Sequence, residues 1–222
     1  MNAPRHLTLR ERIYEEIVRM IVSGELPSGA PLDEKVLIDK LRVSRTPFRE
    51  AIGTLSKEGL IEIKPYRGFF VRSFSRKETD DLYELRKTLE CFAVELAVPN
   101  MSDRHIAQFE TILGSAVDAL HDGDMEAYGS HDRVFHETIA ELSGNAALIE
   151  TLSRLALQIQ VGRTIANESK DFAQRAATER DEILTAFRKR DVKRAVKLMH
   201  THISDVQRAV LERFTETNPA RR

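Results

Sequence analysis

Apolar spacing along the chain changes period twice, and the changes divide it into three segments. From Thr8 to about Ser23 the period is helical, with Ile13, Ile17, Met20 and Ile21 on one face, Thr8 placed as the cap and Gly24 as the stop. Leu26 to Pro31 is turn-rich. Asp33 then caps a short helix from Glu34 to Leu41, whose Val36, Leu37, Ile38 and Leu41 predict a buried side. Arg42 and Val43 make a turn, and Ser44 caps a further helix with Pro47 in its first turn and Glu50 in its opening turns. Phe48, Ile52 and Leu55 face a core, and Gly59 ends this helix. The spacing next becomes alternating over Leu60 to Lys64, turns at Pro65-Tyr66-Arg67-Gly68 and returns through Phe69 to Val71, which predicts a hairpin. Beyond the linker Ser73-Phe74-Ser75 only helical periods occur. They predict helices over about 76–97, 102–122, 124–142, 145–168, 170–190 and 191–215, with Ser102 and Asp191 as caps and Gly123 and Gly144 as stops. Positions such as Leu82, Leu85, Leu89, Ala93 and Leu96 require each helix to bury a side against others, as in an antiparallel bundle.

The expected fold is therefore mainly α, with a winged helix-turn-helix over residues 1–75 and an antiparallel helical bundle over 76–222. A helix-turn-helix offers the first residues of its second helix to base edges, and guanidinium groups pair with guanine O6 and N7. Arg45 and Arg49, four apart on the polar side, are the expected readers of DNA.

Charge refines this picture. The 222 residues carry a net charge of −1, yet residues 1–75 hold 13 Lys and Arg against 10 Asp and Glu, and the rest of the chain is acidic. Only the first part suits phosphates, and modestly, so a paired arrangement of two readers is expected. No apolar run approaches the ~20 residues needed to span a bilayer, and the N-terminus lacks the apolar stretch of a secretory signal, so the expectation is a cytoplasmic protein with no membrane partner. Cys91 is a single cysteine in an apolar run, read as a core residue. Nucleotide loops, cysteine clusters and nucleophile elbows are missing, which argues against an enzyme.

The first segment resembles the winged helix-turn-helix of the GntR family of bacterial transcription regulators. The resemblance is carried by Val43-Ser44-Arg45-Thr46-Pro47-Phe48-Arg49-Glu50-Ala51, by Leu55, by Glu58-Gly59-Leu60-Ile61 and by Arg67-Gly68-Phe69-Phe70-Val71. It implies base and phosphate contacts from Lys35, Ser44, Arg45, Thr46 and Arg49, with Arg67 and Gly68 at the wing tip. Arg42 departs from the family, which usually has glycine in the turn, and a locally adjusted turn is expected there.

The remainder resembles the FCD ligand-binding module of the FadR branch. The matching residues are Leu82-Tyr83-Glu84-Leu85-Arg86 with Leu89-Glu90, Asp132 with His136, Leu142-Ser143-Gly144-Asn145, Glu179 with Ile183-Leu184, and Met199 with His202. Asp132 and His136 are four apart on one helix face, and His202 comes from the last helix. A carboxylate with imidazoles suits a divalent metal such as zinc, nickel or manganese, leaving positions for an effector carboxylate. Metal-binding members of the module use one aspartate and three histidines, and Arg180 stands where the remaining histidine would be. Two arrangements follow: Asp132, His136 and His202 hold a three-ligand metal, or Arg180 replaces the metal and the pocket takes an anion directly. Arg86 matches an arginine the module directs to its pocket, with an ion pair to Glu90 as the alternative. His131 and His200 are expected on the surface.

The function implied is a ligand-responsive regulator, a repressor whose homodimer binds a palindromic operator in double-stranded DNA and is modulated by a small organic acid. The tails 1–7 and 216–222 are expected to take no part in assembly. The competing readings are a metal-dependent hydrolase or isomerase built on Asp132, His136 and His202, and an architectural DNA-binding protein whose bundle only dimerises.

Overall fold

The computed structural model describes residues 7–216, and the chain divides into two compact units between Phe74 and Ser75. Apart from Leu7 and Glu216, the two tails lie outside the described residues.

In the first unit α1 (Leu9–Val22) opens with a capping box. The Thr8 hydroxyl accepts the Glu11 N–H at 3.2 Å, and the Glu11 carboxylate accepts the Thr8 N–H at 2.7 Å. Its buried face is the expected Ile13, Ile17, Met20 and Ile21. α2 (Glu34–Leu41) is capped by Asp33, which accepts the Val36 N–H at 3.0 Å. α3 (Arg45–Lys57) buries Phe48, Ala51, Ile52 and Leu55 against α1 and the sheet. That sheet has strands β1 (Pro31–Leu32), β2 (Ile61–Lys64) and β3 (Gly68–Val71) in the order β1-β3-β2, all antiparallel, with Ile61 opposite Val71 and Lys64 opposite Gly68. β1 was not foreseen, because two residues are too short to show a period.

Two local expectations are corrected. α2 is too short to bury a broad face: Leu37 is buried, Ile38 and Leu41 are half-buried, and Val36 is 58% exposed. Arg42 makes no adjustment of the turn. It takes the left-handed conformation itself, φ 53° and ψ 49°, so that its N–H reaches the Asp39 carbonyl and the Val43 N–H reaches that of Ile38.

The second unit contains α4 (Arg76–Ala97), a 3₁₀ turn (Val98–Asn100), α5 (Asp103–Asp122), α6 (Met125–Leu142), α7 (Ala146–Asn167), α8 (Lys170–Arg188) and α9 (Val192–Glu216). Ser75, Ser102, Asp124, Asn145, Ser169 and Asp191 each accept a backbone N–H at the start of a helix. Gly123 and Gly144, at φ 78° and 65°, take the left-handed turns that end α5 and permit reversal after α6. α4 packs on α9 and α6, α5 on α6 and α8, and α8 on α9. Phe109, Phe135 and Phe187 meet at the centre, with centroids 5.4 to 6.4 Å apart. Cys91 is half-buried on this core, with Sγ against the Val196 carbonyl.

Candidate functional site

At the helix-turn-helix, the residues singled out from the sequence are all exposed: Lys35 on α2, Ser44, Arg45, Thr46 and Arg49 at the start of α3, and Arg67 and Gly68 at the hairpin tip. Ser44 occupies the cap position of α3 but its hydroxyl makes no cap bond. Buried Phe48 lies edge-on to Phe69, ring centroids 6.4 Å apart, which fixes α3 against the hairpin. Missing from the sequence reading was Glu34. Its carboxylate accepts Arg49 Nε at 2.8 Å and Nη2 at 3.1 Å, and lies 3.3 Å from Arg45 Nε.

In the second unit, five helices each give up core positions to ionisable groups. On α4 the buried stripe Thr79, Tyr83, Arg86, Glu90, Ala93, Val94 and Ala97 is polar in its first half and apolar in its second. α6 contributes Asp132 and His136 between Tyr128 and Ile139, α7 contributes Arg163 beside Gly162, α8 contributes Arg180 between Ala177 and Ile183, and α9 contributes His202 between Met199 and Ile203. The sequence therefore identified Arg86, Asp132, His136, Arg180 and His202 as members of one cluster, and the fold brings all five into the interior. Glu90, Arg163 and Tyr83 were not placed in it. The signal available for each was a polar residue at a position where the helical stripe demands an apolar one.

Contacts within the cluster are dense. Arg180 pairs through Nη1 with Asp132 and donates through Nη2 to the Tyr128 hydroxyl at 2.6 Å. Arg163 Nε lies 3.3 Å from the other Asp132 oxygen, without hydrogen-bond alignment. Arg86 Nε donates to Glu90 at 2.6 Å, so the Arg86–Glu90 pair forms, but fully buried rather than on a helix surface. His136 puts Nδ1 on the second Glu90 oxygen and turns Nε2 toward Arg86 Nη2 at 3.5 Å, and His202 puts Nδ1 on Glu179 at 2.7 Å, which leaves its Nε2 facing the cluster. The two rings stack at 5.5 Å. Of the neighbouring histidines, His200 is exposed and His131 is half-buried rather than at the surface.

Protonation follows from this crowding. Burial would raise both carboxyls, but Arg86 and His136 hold Glu90, and Arg180 and Arg163 hold Asp132, well below the usual carboxylate range. Desolvation outweighs the Glu90 carboxylate and lowers His136 to about 3, and it lowers His202 as well. With both imidazoles neutral, the fully buried set holds three guanidiniums, Arg86, Arg163 and Arg180, against two carboxylates, Glu90 and Asp132. Glu179, at 27% side-chain exposure, is partly in solvent.

Tyr83 Oη, Arg86 Nη1, Arg163 Nε and Arg180 Nε are buried donors without a hydrogen-bond partner. Each such group left unmade costs about 1–3 kcal/mol. A cavity of about 120 Å³ between α6 and α7 reaches the cluster at Glu90, His136 and Arg163, and its walls include Ala140, Ile149, Leu152 and Ile159. Asp132, His136 and His202 also each offer an atom within 4.8 Å of the others, which is a metal-like donor set. Its surroundings do not suit a divalent cation: both Asp132 oxygens face guanidinium nitrogens, and Arg86 Nη2 is 3.5 Å from His136 Nε2.

A winged helix-turn-helix followed by a helical domain with a buried polar pocket defines a DNA-binding transcriptional regulator with a ligand-binding module. Residues 9–71 match the bacterial regulatory proteins of the gntR family, and residues 81–205 match the FCD domain. The chain belongs to the gntR family, in the branch that carries an FCD domain. The Nta operon transcriptional regulator of Aminobacter aminovorans is 31% identical over 211 residues, covering 91% of this chain and 99% of that protein. Among solved structures, a putative GntR transcriptional regulator from Rhodococcus sp. RHA1 matches with TM-score 0.79 at 24% identity, over 91% of this chain and 97% of that one. E. coli McbR/YncC matches with TM-score 0.77 at 22% identity, over 95% and 99%. At these identities the two structures speak to the fold alone. The chain is a regulator and not an enzyme, and no described helix is long and apolar enough to cross a membrane.

Proposed function

We propose that the chain is a repressor that acts as a cytoplasmic homodimer on a palindromic operator and responds to a small organic acid. In this reading residues 1–75 bind DNA through Lys35, Ser44, Arg45, Thr46, Arg49, Arg67 and Gly68, and residues 76–222 bind the effector and dimerise. The effector site comprises Arg86, Asp132, His136, Arg180 and His202, to which Arg163 and Tyr83 are added. The observation that carries the effector class is the set of four unpartnered buried donors, three of them guanidinium N–H groups, of which Arg163 lines the cavity together with neutral His136. Donors without acceptors call for a ligand rich in acceptors, and a carboxylate supplies them bidentately. Binding of that anion favours one arrangement of the paired readers over another.

A second reading is supported by the convergence of Asp132, His136 and His202, with a carboxylate behind each imidazole as metal-ligating histidines commonly have. There the three residues hold zinc, nickel or manganese in a weaker site than the family's four-ligand one. The two readings differ in what chelation does. Under the anion reading, purified protein holds metal well below one per chain, and small carboxylic acids raise the melting temperature equally before and after chelation, because a ligand of the folded state alone adds RT ln(1 + [L]/Kd). Arg180→His is expected to gain metal affinity while its metal-free response to acids falls. Stoichiometric metal in the natural protein, required for the acid to bind, would refute the anion reading.

A further inference from the structure

Glu34 is the first residue of α2, and its carboxylate reaches across to α3 in a specific way. It takes Arg49 by Nε–H and one Nη2–H, at 2.8 and 3.1 Å, and approaches Arg45 by Nε at 3.3 Å. A guanidinium carries five N–H donors in a planar fork. Contacts through Nε use its side edge, so the end edge formed by Nη1 and Nη2 stays available on both arginines. That end edge can match O6 and N7 of guanine. The Glu34 side chain is 22% exposed, against 71% for Arg45 and 56% for Arg49, so the carboxylate lies beneath the two guanidiniums and they are outermost. The Arg49 hydrogen bond holds the Glu34 carboxyl below its usual range, as expected for a carboxylate paired with a guanidinium.

We infer that Glu34 is a positioning residue for DNA recognition: it pins Arg49 by hydrogen bonds to its side edge, draws Arg45 in by an ion pair at Nε, and so turns their end edges outward toward the bases. This rests on the assignment of the two arginines as readers. A long side chain free on a helix surface loses its rotamer freedom when it meets a base, whereas one already held by Glu34 has lost that freedom on folding. The same carboxylate brings a negative charge close to phosphates and weakens binding to any duplex. Glu34 therefore raises discrimination while lowering bulk affinity, a combination that neither a folding residue nor a simple competing charge produces.

The test uses the full-length protein and a duplex it selects from a random pool, beside a scrambled duplex of the same length. For Glu34→Gln, binding to the scrambled duplex is expected to tighten several-fold, while the ratio of selected to scrambled affinity falls about tenfold. Glu34→Asp, charged but one methylene shorter, is expected to lose the ratio without tightening on the scrambled duplex. In the Arg45→Ala/Arg49→Ala background, Glu34→Gln should leave the ratio where the arginine changes put it. An unchanged ratio in Glu34→Gln overturns the inference, whether both affinities rise together, as for a competing charge, or fall together, as for a folding defect. If the arginine variants lose discrimination and Glu34→Gln does not, the inference alone fails. If they keep it, or the pool yields no preferred duplex, the reader assignment fails and the inference with it.

Discussion

A buried arginine is expensive, and this bundle buries three within one cluster. Neutral His136 and His202 are part of what makes that tolerable, since protonating either would add charge to a set already rich in guanidinium. Acid stability follows from the sign of these shifts. A histidine of the unfolded chain takes its proton near pH 6.5, whereas folded His136 resists until about 3. Protons therefore favour the unfolded state throughout that interval, and stability is full above about pH 7 and falls as pH drops below about 6.5. The expected slope approaches about 1.4 kcal/mol per pH unit for each such histidine. Below about pH 4 the carboxyls of Glu90 and Asp132, held low in the folded protein, add to the loss. Urea titrations of the natural protein and of His136→Asn between pH 4 and 8 check this. The variant should show a flatter profile between pH 4 and 6.5, and an equally steep one would show that His136 does not titrate as described.

At the scale of elements, α-helix boundaries were the most legible feature of the chain, because caps and stops are local chemistry. Ser102, Gly123, Gly144 and Asp191 stand where they were expected. β1 and the exposure of Val36 were not legible, since a two-residue strand has no period and a two-turn helix can bury little. The candidate site was half legible. Asp132, His136 and His202 stood out as residue types, whereas Glu90 and Arg163 are ordinary surface residues until the neighbouring stripe shows that they point inward. Arg42 offers a test at this scale. A non-glycine residue in the left-handed region costs about 1–2 kcal/mol, partly offset because glycine loses more backbone freedom on folding. Arg42→Gly is expected to stabilise the first unit by about 1 kcal/mol in denaturant titration. A loss of stability would mean that the Arg42 side chain contributes more than its backbone costs.

For the molecule as a whole, net charge and reader size set the requirement. One small unit with a modest positive excess offers few charges for phosphates, so the proposed tight binding to an operator calls for two copies. Leu85 and Phe92, seven residues apart on α4, remain 46% and 44% exposed, which gives the helical unit apolar surface that a second copy could cover. Sedimentation at micromolar concentration is expected to give a dimer, and Phe92→Glu to shift it toward monomer with weaker operator binding. A natural protein that is strictly monomeric yet binds a palindrome at full affinity would remove the dimer from the mechanism.

The Arg180–Asp132 contact has a consequence for how such pockets diverge. Tyr128, the other partner of Arg180, also donates its hydroxyl to the Ala173 carbonyl at 2.9 Å, so loss of the guanidinium does not strand it. The apolar stripe of α8 around Arg180, from Phe172 to Phe187, makes no demand on which basic group stands there. Two of the six arginine codons differ from a histidine codon by a single base, so, on the proposed reading of the pocket, one mutational step at position 180 would exchange an anion-holding interior for a cation-holding one without altering the caps or the apolar stripe of the helix.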